Sequence, residues 1–111
     1  MTKGTNMKST LKLVLLIPCL FLAACTWVKI DPGADQVQLL TAEQVRQCEA
    51  LGQATTSVRD RVAGVQRSPG KVEDELAALA RNSAFEMGGN VIVRDSPVRG
   101  GQQRFRIYNC R

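Results

Sequence analysis

Cysteine carries the strongest nucleophile in this chain, which has cysteines at 19, 25, 48 and 110 and no histidine. Cys25 has the most specific surroundings. It closes the tetrapeptide Leu22-Ala23-Ala24-Cys25, directly after an apolar run over 13–24 broken only by Pro18. Lys3, Lys8 and Lys12 make the residues ahead of the run basic, with no acid among them. A basic start, an apolar core and small residues before a cut describe a secretory signal peptide. The run is shorter than the about 20 apolar residues that a membrane-spanning helix needs. A cut before Cys25 makes it the first residue of the mature chain. The alternatives are a buried apolar helix with a chance cysteine, and a plain signal-peptide cut at the same bond with Cys25 as an ordinary thiol. The plain cut places Leu22 three residues before the bond, where a small residue is wanted. Met7-Lys8-Ser9 offers a second possible start besides Met1.

Leu22-Ala23-Ala24-Cys25 resembles the lipobox of bacterial lipoproteins: an aliphatic residue, two small ones and an obligatory cysteine. The resemblance implies a diacylglyceryl group on the Cys25 sulfur. One acyl chain holds a protein on a membrane only marginally, and two or more anchor it stably. In enteric bacteria an aspartate after the lipidated cysteine retains the protein in the inner membrane. Thr26 stands there in this chain, so the resemblance implies the outer membrane, periplasmic face, with the inner membrane as the alternative. Trp27 is placed either to rest at headgroup level, as tryptophans often do, or to pack on the domain that follows.

This processing changes what composition implies. The chain of 111 residues carries a net charge of +5, but Lys3, Lys8 and Lys12 leave with residues 1–24. The remainder keeps 12 Lys/Arg against 10 Asp/Glu and is only weakly basic. Nucleic acid is not an expected partner of an exported protein of that charge. Residues 25–36 read as a lipidated N-terminus and tether, and 37–111 as one small domain. Cys19 leaves with the signal, which reserves Cys48 and Cys110 for a disulfide in an oxidising compartment. The alternative is two buried free thiols. Closing a loop of about 60 residues is worth on the order of 4 kcal/mol in the chain-entropy model, a large contribution to a domain this small. Two distant cysteines without histidine make a poor metal site, and no cofactor is expected.

The remaining chemistry is that of binding. Without histidine there is no histidine-based triad; Ser57, Ser68 and Ser83 lack nucleophile-elbow surroundings. Glu73, Asp74 and Glu75 are consecutive and read as solvated acids on a first helical turn. The chain therefore reads as a non-enzyme. Arg94, Arg99, Arg104, Arg106 and Arg111 crowd into the last hairpin, with Asp95 as its single acid. Arginine pairs well with phosphate and carboxylate, so Arg94, Arg99, Arg104 and Arg106 form a candidate anion-binding patch. A solvated basic face is the plainer reading.

The elements that must position these residues follow from pattern. Asp31-Pro32-Gly33-Ala34 has Pro and Gly where a type II turn wants them. Residues 37–40 are a short apolar strand, and Thr41-Ala42-Glu43-Gln44 resembles a capping box opening a turn or two of helix up to Cys48. Residues 52–60 favour an extended strand, and 64–70 read as a loop. Val72, Leu76, Leu79, Ala80, Ser83 and Met87 recur at helical spacing and predict one face of the main helix. Gly88-Gly89 ends it. Val91, Ile92 and Val93 predict a strand covered on both faces, and 103–110 a last strand with Phe105 and Ile107 on one side and Arg104, Arg106 and Tyr108 on the other. Strand, strand, helix, strand, strand describes an α+β domain, one main helix packed on a small, mostly antiparallel sheet.

Cys48 with Leu51-Gly52, then Ala80-Arg81-Asn82 with Ala84, then Met87-Gly88-Gly89-Asn90-Val91-Ile92-Val93 and Tyr108-Asn109-Cys110 together resemble a family of small bacterial lipoproteins of unassigned function. The layout is similar, more distantly, to the outer-membrane sensor lipoprotein of the Rcs envelope-stress phosphorelay. The likeness spans 48–110 and implies a disulfide-stapled α+β domain anchored to the membrane. The expected role is structural or accessory, through an envelope protein partner. Envelope-stress sensing, or binding of anionic envelope components through the C-terminal basic hairpin, is the alternative.

Overall fold

The computed structural model describes residues 28–111. The expectations for residues 1–24, Cys25 and Trp27 fall outside them. In chain order the domain has a short strand β1 (Gln38–Leu39), a long strand β2 (Glu49–Ser57), a small hairpin of β3 (Arg61–Val62) and β4 (Val65–Gln66), the helix α1 (Pro69–Glu86), then β5 (Val91–Arg94) and β6 (Gln102–Asn109). Single 3₁₀ turns form at Ala34–Gln36 and Glu43–Val45. The main sheet runs β1-β5-β6-β2, with β3–β4 apart from it. Pairs β2–β6 and β5–β6 are antiparallel, and β1–β5 is parallel. The α+β fold expected from the sequence is the one that forms, with β1 making the sheet mixed.

α1 is rich in alanine and leucine, the best helix formers, and Pro69 stands at its first turn, where a missing N–H costs nothing. Val72, Leu76, Ala77, Ala80 and Ala84 face the sheet and meet Val37, Ile92, Phe105 and Ile107. Truncating any of the fully buried Phe105, Leu76, Ile92 or Ile107 to alanine costs about 2–5 kcal/mol. The helix ends in a Schellman motif: Gly89 N–H donates to Ala84 O (2.7 Å) and Gly88 N–H to Phe85 O (3.1 Å). Gly88 takes the left-handed conformation this requires (φ 80°).

Two expectations for the helix change. It begins at Pro69, before the expected start, so Glu73, Asp74 and Glu75 lie beyond its first turn. Met87 is exposed, and Leu79 and Ser83 are only partly buried. Small alanines take the contact face instead, and Met87 sits at the cap, where the chain turns away.

β5 is covered on both faces, as its continuous apolar run implied. Ile92 faces the helix; Val91 and Val93 join Val45 in a second small core, with Leu40, Cys48, Tyr108 and Cys110 packed against it. The reason is connectivity. β1 and β2 lie at opposite edges of the sheet, so the linking segment crosses the face away from α1. Within it Thr41 N–H donates to Gln44 Oε1 (2.9 Å), half of the expected capping box, and the helix stops after one 3₁₀ turn.

The Cys48–Cys110 disulfide closes this side, joining residues 62 apart in sequence. It sets Cys48 beside the end of β6, so β2 pairs from Glu49 onward rather than from Gly52, and a bulge between Ala50 and Gly52 absorbs the offset. The 64–70 loop is also corrected: Val65–Gln66 is β4, paired with Arg61–Val62.

Residues 29–36, read as tether, lie on the helix. The predicted type II turn forms, with Ala34 N–H donating to Asp31 O (2.9 Å) and Gly33 at φ 93°. Asn82 holds the segment entering it, donating to Lys29 O (2.8 Å) and accepting from Asp31 N–H (2.8 Å). The Phe85 ring covers Gly33 so closely that a Cβ there would meet it at 2.6 Å.

Candidate functional site

The β5–β6 connection carries the predicted basic patch, and strand geometry divides it. Residues paired across an antiparallel ladder point to the same face. Arg94 pairs with Phe105 and so lies on the helix side, whereas Val93 pairs with Arg106, placing Arg106 and, two residues back, Arg104 on the opposite side. Arg99 stands in the turn, bridged to Gln102. The four arginines therefore do not make one patch. Arg104 and Arg106 share a face, Arg99 joins Arg104 around a hollow, and Arg94 stands apart.

Arg104 and Arg106 converge on Asp95. Arg104 Nε lies 2.9 Å from Asp95 Oδ2, and Arg106 Nε 3.2 Å from Oδ1. Arg104 also donates to the Asp95 carbonyl (3.2 Å). The hydrogen bond from Arg104, with Arg106 adding to it, holds the Asp95 carboxyl below the usual aspartate value against some desolvation, and Asp95 in turn raises Arg106. The carboxylate thus neutralises one of the two positive charges the sequence offered on this face.

Beside this triad an open hollow of about 340 Å³ is lined by Thr55, Ser96, Pro97, Arg99, Gln102, Gln103 and Arg104, with no acid among them. Ser96 braces its rim: its Oγ accepts from Arg104 N–H (2.9 Å) and donates to Pro97 O (3.2 Å). Gln103 is buried, donates to Ser96 O (2.9 Å), and its Oε1 has no partner among the described residues. The hollow offers guanidinium and amide donors, so it can receive an acidic or polar group. Thr55, Ser96 and Gln103 escaped sequence reasoning because only the β2–β6 register and the fold of the turn bring them to the arginines.

Cys48 and Cys110 pair as the sequence reading expected. Asn90 reinforces that closure: its side chain donates to Cys110 O (2.6 Å) and accepts from Cys110 N–H (2.7 Å). Arg81 likewise donates to Val37 O (3.0 Å). The polar residues of the Ala80-Arg81-Asn82 and Gly89-Asn90 motifs are therefore clamps for the segment leading into β1 and for the end of β6. No group of three or more His, Cys, Asp or Glu that could hold a metal occurs among the described residues. No helix among them is long and apolar enough to cross a membrane.

No curated protein and no solved structure matches the chain. Residues 28–110, which carry both the clamps and the hollow, match a domain of unknown function (DUF4156), and the chain belongs to that family.

Proposed function

We propose that this is a lipid-anchored protein of the bacterial envelope that faces the periplasm and acts as a structural or accessory component through contacts with another envelope protein. The observation that carries the reading is the position of Cys25. It ends Leu22-Ala23-Ala24-Cys25 and stands three residues ahead of the first residue of the matched domain, where a lipid anchor would tie the domain directly to a surface. The Cys48–Cys110 disulfide supports export, since paired structural cysteines belong to oxidising compartments.

The anchor is tested by the intact mass of the protein purified from membranes. The expected species begins at Cys25 and carries a diacylglyceryl thioether, and Cys25→Ser should lose the lipid. A mature chain of unmodified mass would overturn the reading.

A second reading, binding of anionic envelope components, is favoured by the acid-free hollow between Arg99 and Arg104. A photocrosslinking residue at Gln102, on the hollow's rim, separates the two in cells. A discrete protein adduct supports the accessory role. A smear removed by lysozyme or by lipid extraction supports the second reading instead.

A further inference from the structure

The β3–β4 hairpin is the least explained element of the fold. It stands outside the main sheet, and its tip is apolar and bare. Val62 is 54 % exposed and its cross-strand partner Val65 69 %, with exposed Ala63 and Gly64 between them. The turn itself works against stability. Both central residues have positive φ, Ala63 at 53° and Gly64 at 78°, the geometry of the tight hairpin turn that favours Asn-Gly or Asp-Gly. An alanine in the left-handed region is strained, because its Cβ crowds the following carbonyl oxygen. Among the described residues Ala63 is the one non-glycine in that region. The hairpin has an apolar side chain where a polar one would fold better.

The hairpin is also held firmly. Arg67 N–H donates to Asp60 O (2.7 Å). The Arg67 guanidinium donates to Arg59 O (2.9 Å) and to both carboxylate oxygens of Glu75 on α1. Arg67 therefore fixes the hairpin root to the helix. The same guanidinium borders a hollow shared with Val28, Ile30, Lys71, Asp74, Glu75 and Ala78. The chain thus enters the domain beside the hairpin root. Cys25 precedes Val28 by three residues in the sequence, a length of chain of no more than about 11 Å.

We propose that the β3–β4 hairpin is a membrane-contact finger. Val62, Ala63 and Val65 enter the headgroup boundary next to the lipid on Cys25, and Arg59 and Arg61 meet lipid phosphates. The inference rests on the anchored reading above. Two valines carry too little apolar surface to recruit a protein to a bilayer by themselves. An anchor a few residues away turns their contact into an intramolecular one at high effective concentration, so a small gain suffices to orient the domain. Charge agrees: Arg59 and Arg61 are exposed at the tip's base, and Asp60 is the one acid between Arg59 and Arg67. The disulfide lies at the far end of β2, about 27 Å away at strand rise, and the finger directs that end away from the membrane.

The test uses the mature protein in vesicles of phosphatidylethanolamine and phosphatidylglycerol. With Cys25 lipidated and Cys48 bonded to Cys110, Val65→Cys introduces the one free thiol, which takes a nitroxide. Gln47→Cys, beside the disulfide, is the control. The Val65 label should collide with membrane-dissolved oxygen and be shielded from a water-soluble nickel relaxant, and the Gln47 label should show the reverse. Val62→Asp in the Val65→Cys protein should abolish the shielding while the lipid anchor remains. Equal nickel access at both positions on a protein whose mass carries the lipid overturns the finger and leaves the anchor standing. A mass without lipid overturns both. Shielding accompanied by dipolar broadening between labels assigns the tip to a second copy of the chain and also overturns the finger.

Discussion

Asp95 shows how one side chain changes the meaning of several others. The arginines around it invite an anion-binding reading, yet its carboxylate already lies within 2.9 and 3.2 Å of Arg104 and Arg106. Its folded-state pKa is lowered below the ordinary 3.8. A carboxyl lowered in this way contributes stability above its unfolded pKa and loses it as pH falls through the folded value. Comparing Asp95→Asn with the unaltered chain by thermal unfolding, the difference in Tm should be fully developed above about pH 5 and shrink as pH drops below about 4. A difference that stays constant down to pH 2 would mean that Asp95 acts through shape rather than charge. Asn82 and Asn90 are the other decisive residues. Each presents an amide, one donor group and one acceptor, to the backbone of a distant segment. A sequence shows that such an asparagine is present; the backbone it will clamp is set by tertiary structure.

Among the elements, the helix is the most legible and its ends are the most instructive. Gly88 and Gly70 are both glycines of α1 or its cap, yet they should respond oppositely to alanine. Gly88 has φ 80°, so Gly88→Ala should destabilise by about 1–2 kcal/mol. Gly70 lies inside the helix with open space around an added Cβ, so Gly70→Ala should stabilise by about 0.4–1 kcal/mol. Urea unfolding measures both, and effects of the same sign would contradict the assigned cap. The helix, β5 and β6 were readable because their periodicities are strong. The β3–β4 hairpin was not, because Ala-Gly lacks the Asn-Gly or Asp-Gly signature and each arm has only two paired residues.

For the whole molecule the disulfide and the two asparagine clamps do related work. α1 and the sheet form the larger core, but the face away from the helix has only a small cluster around Val45, Val91 and Val93. The segment that crosses it is tied down by Cys48–Cys110. Replacing both cysteines with alanine removes a closed loop spanning 62 residues of sequence and should cost on the order of 4 kcal/mol. That is a large part of the about 5–15 kcal/mol that holds a typical domain folded. A urea midpoint unchanged in the double variant would show that the crossing segment is held by packing alone.

The sequence by itself determined the helix, the doubly covered strand β5, the alternation along β6, the type II turn at Pro32-Gly33 and the pairing of the two late cysteines. Each of these is a local signal or follows from elimination among few residues, so periodicity and turn chemistry were enough. Only the tertiary structure decided that the stretch after Lys29 lies on the helix, that β1 runs parallel to β5, that Arg94 parts from Arg104 and Arg106, and that Thr55 and Gln103 share a hollow with Arg99. These depend on strand order, register and which distant backbone an amide reaches, and they arise from contacts between residues tens of positions apart. No local pattern encodes them, because the same strand can be paired on either side and in either direction until the whole sheet has closed.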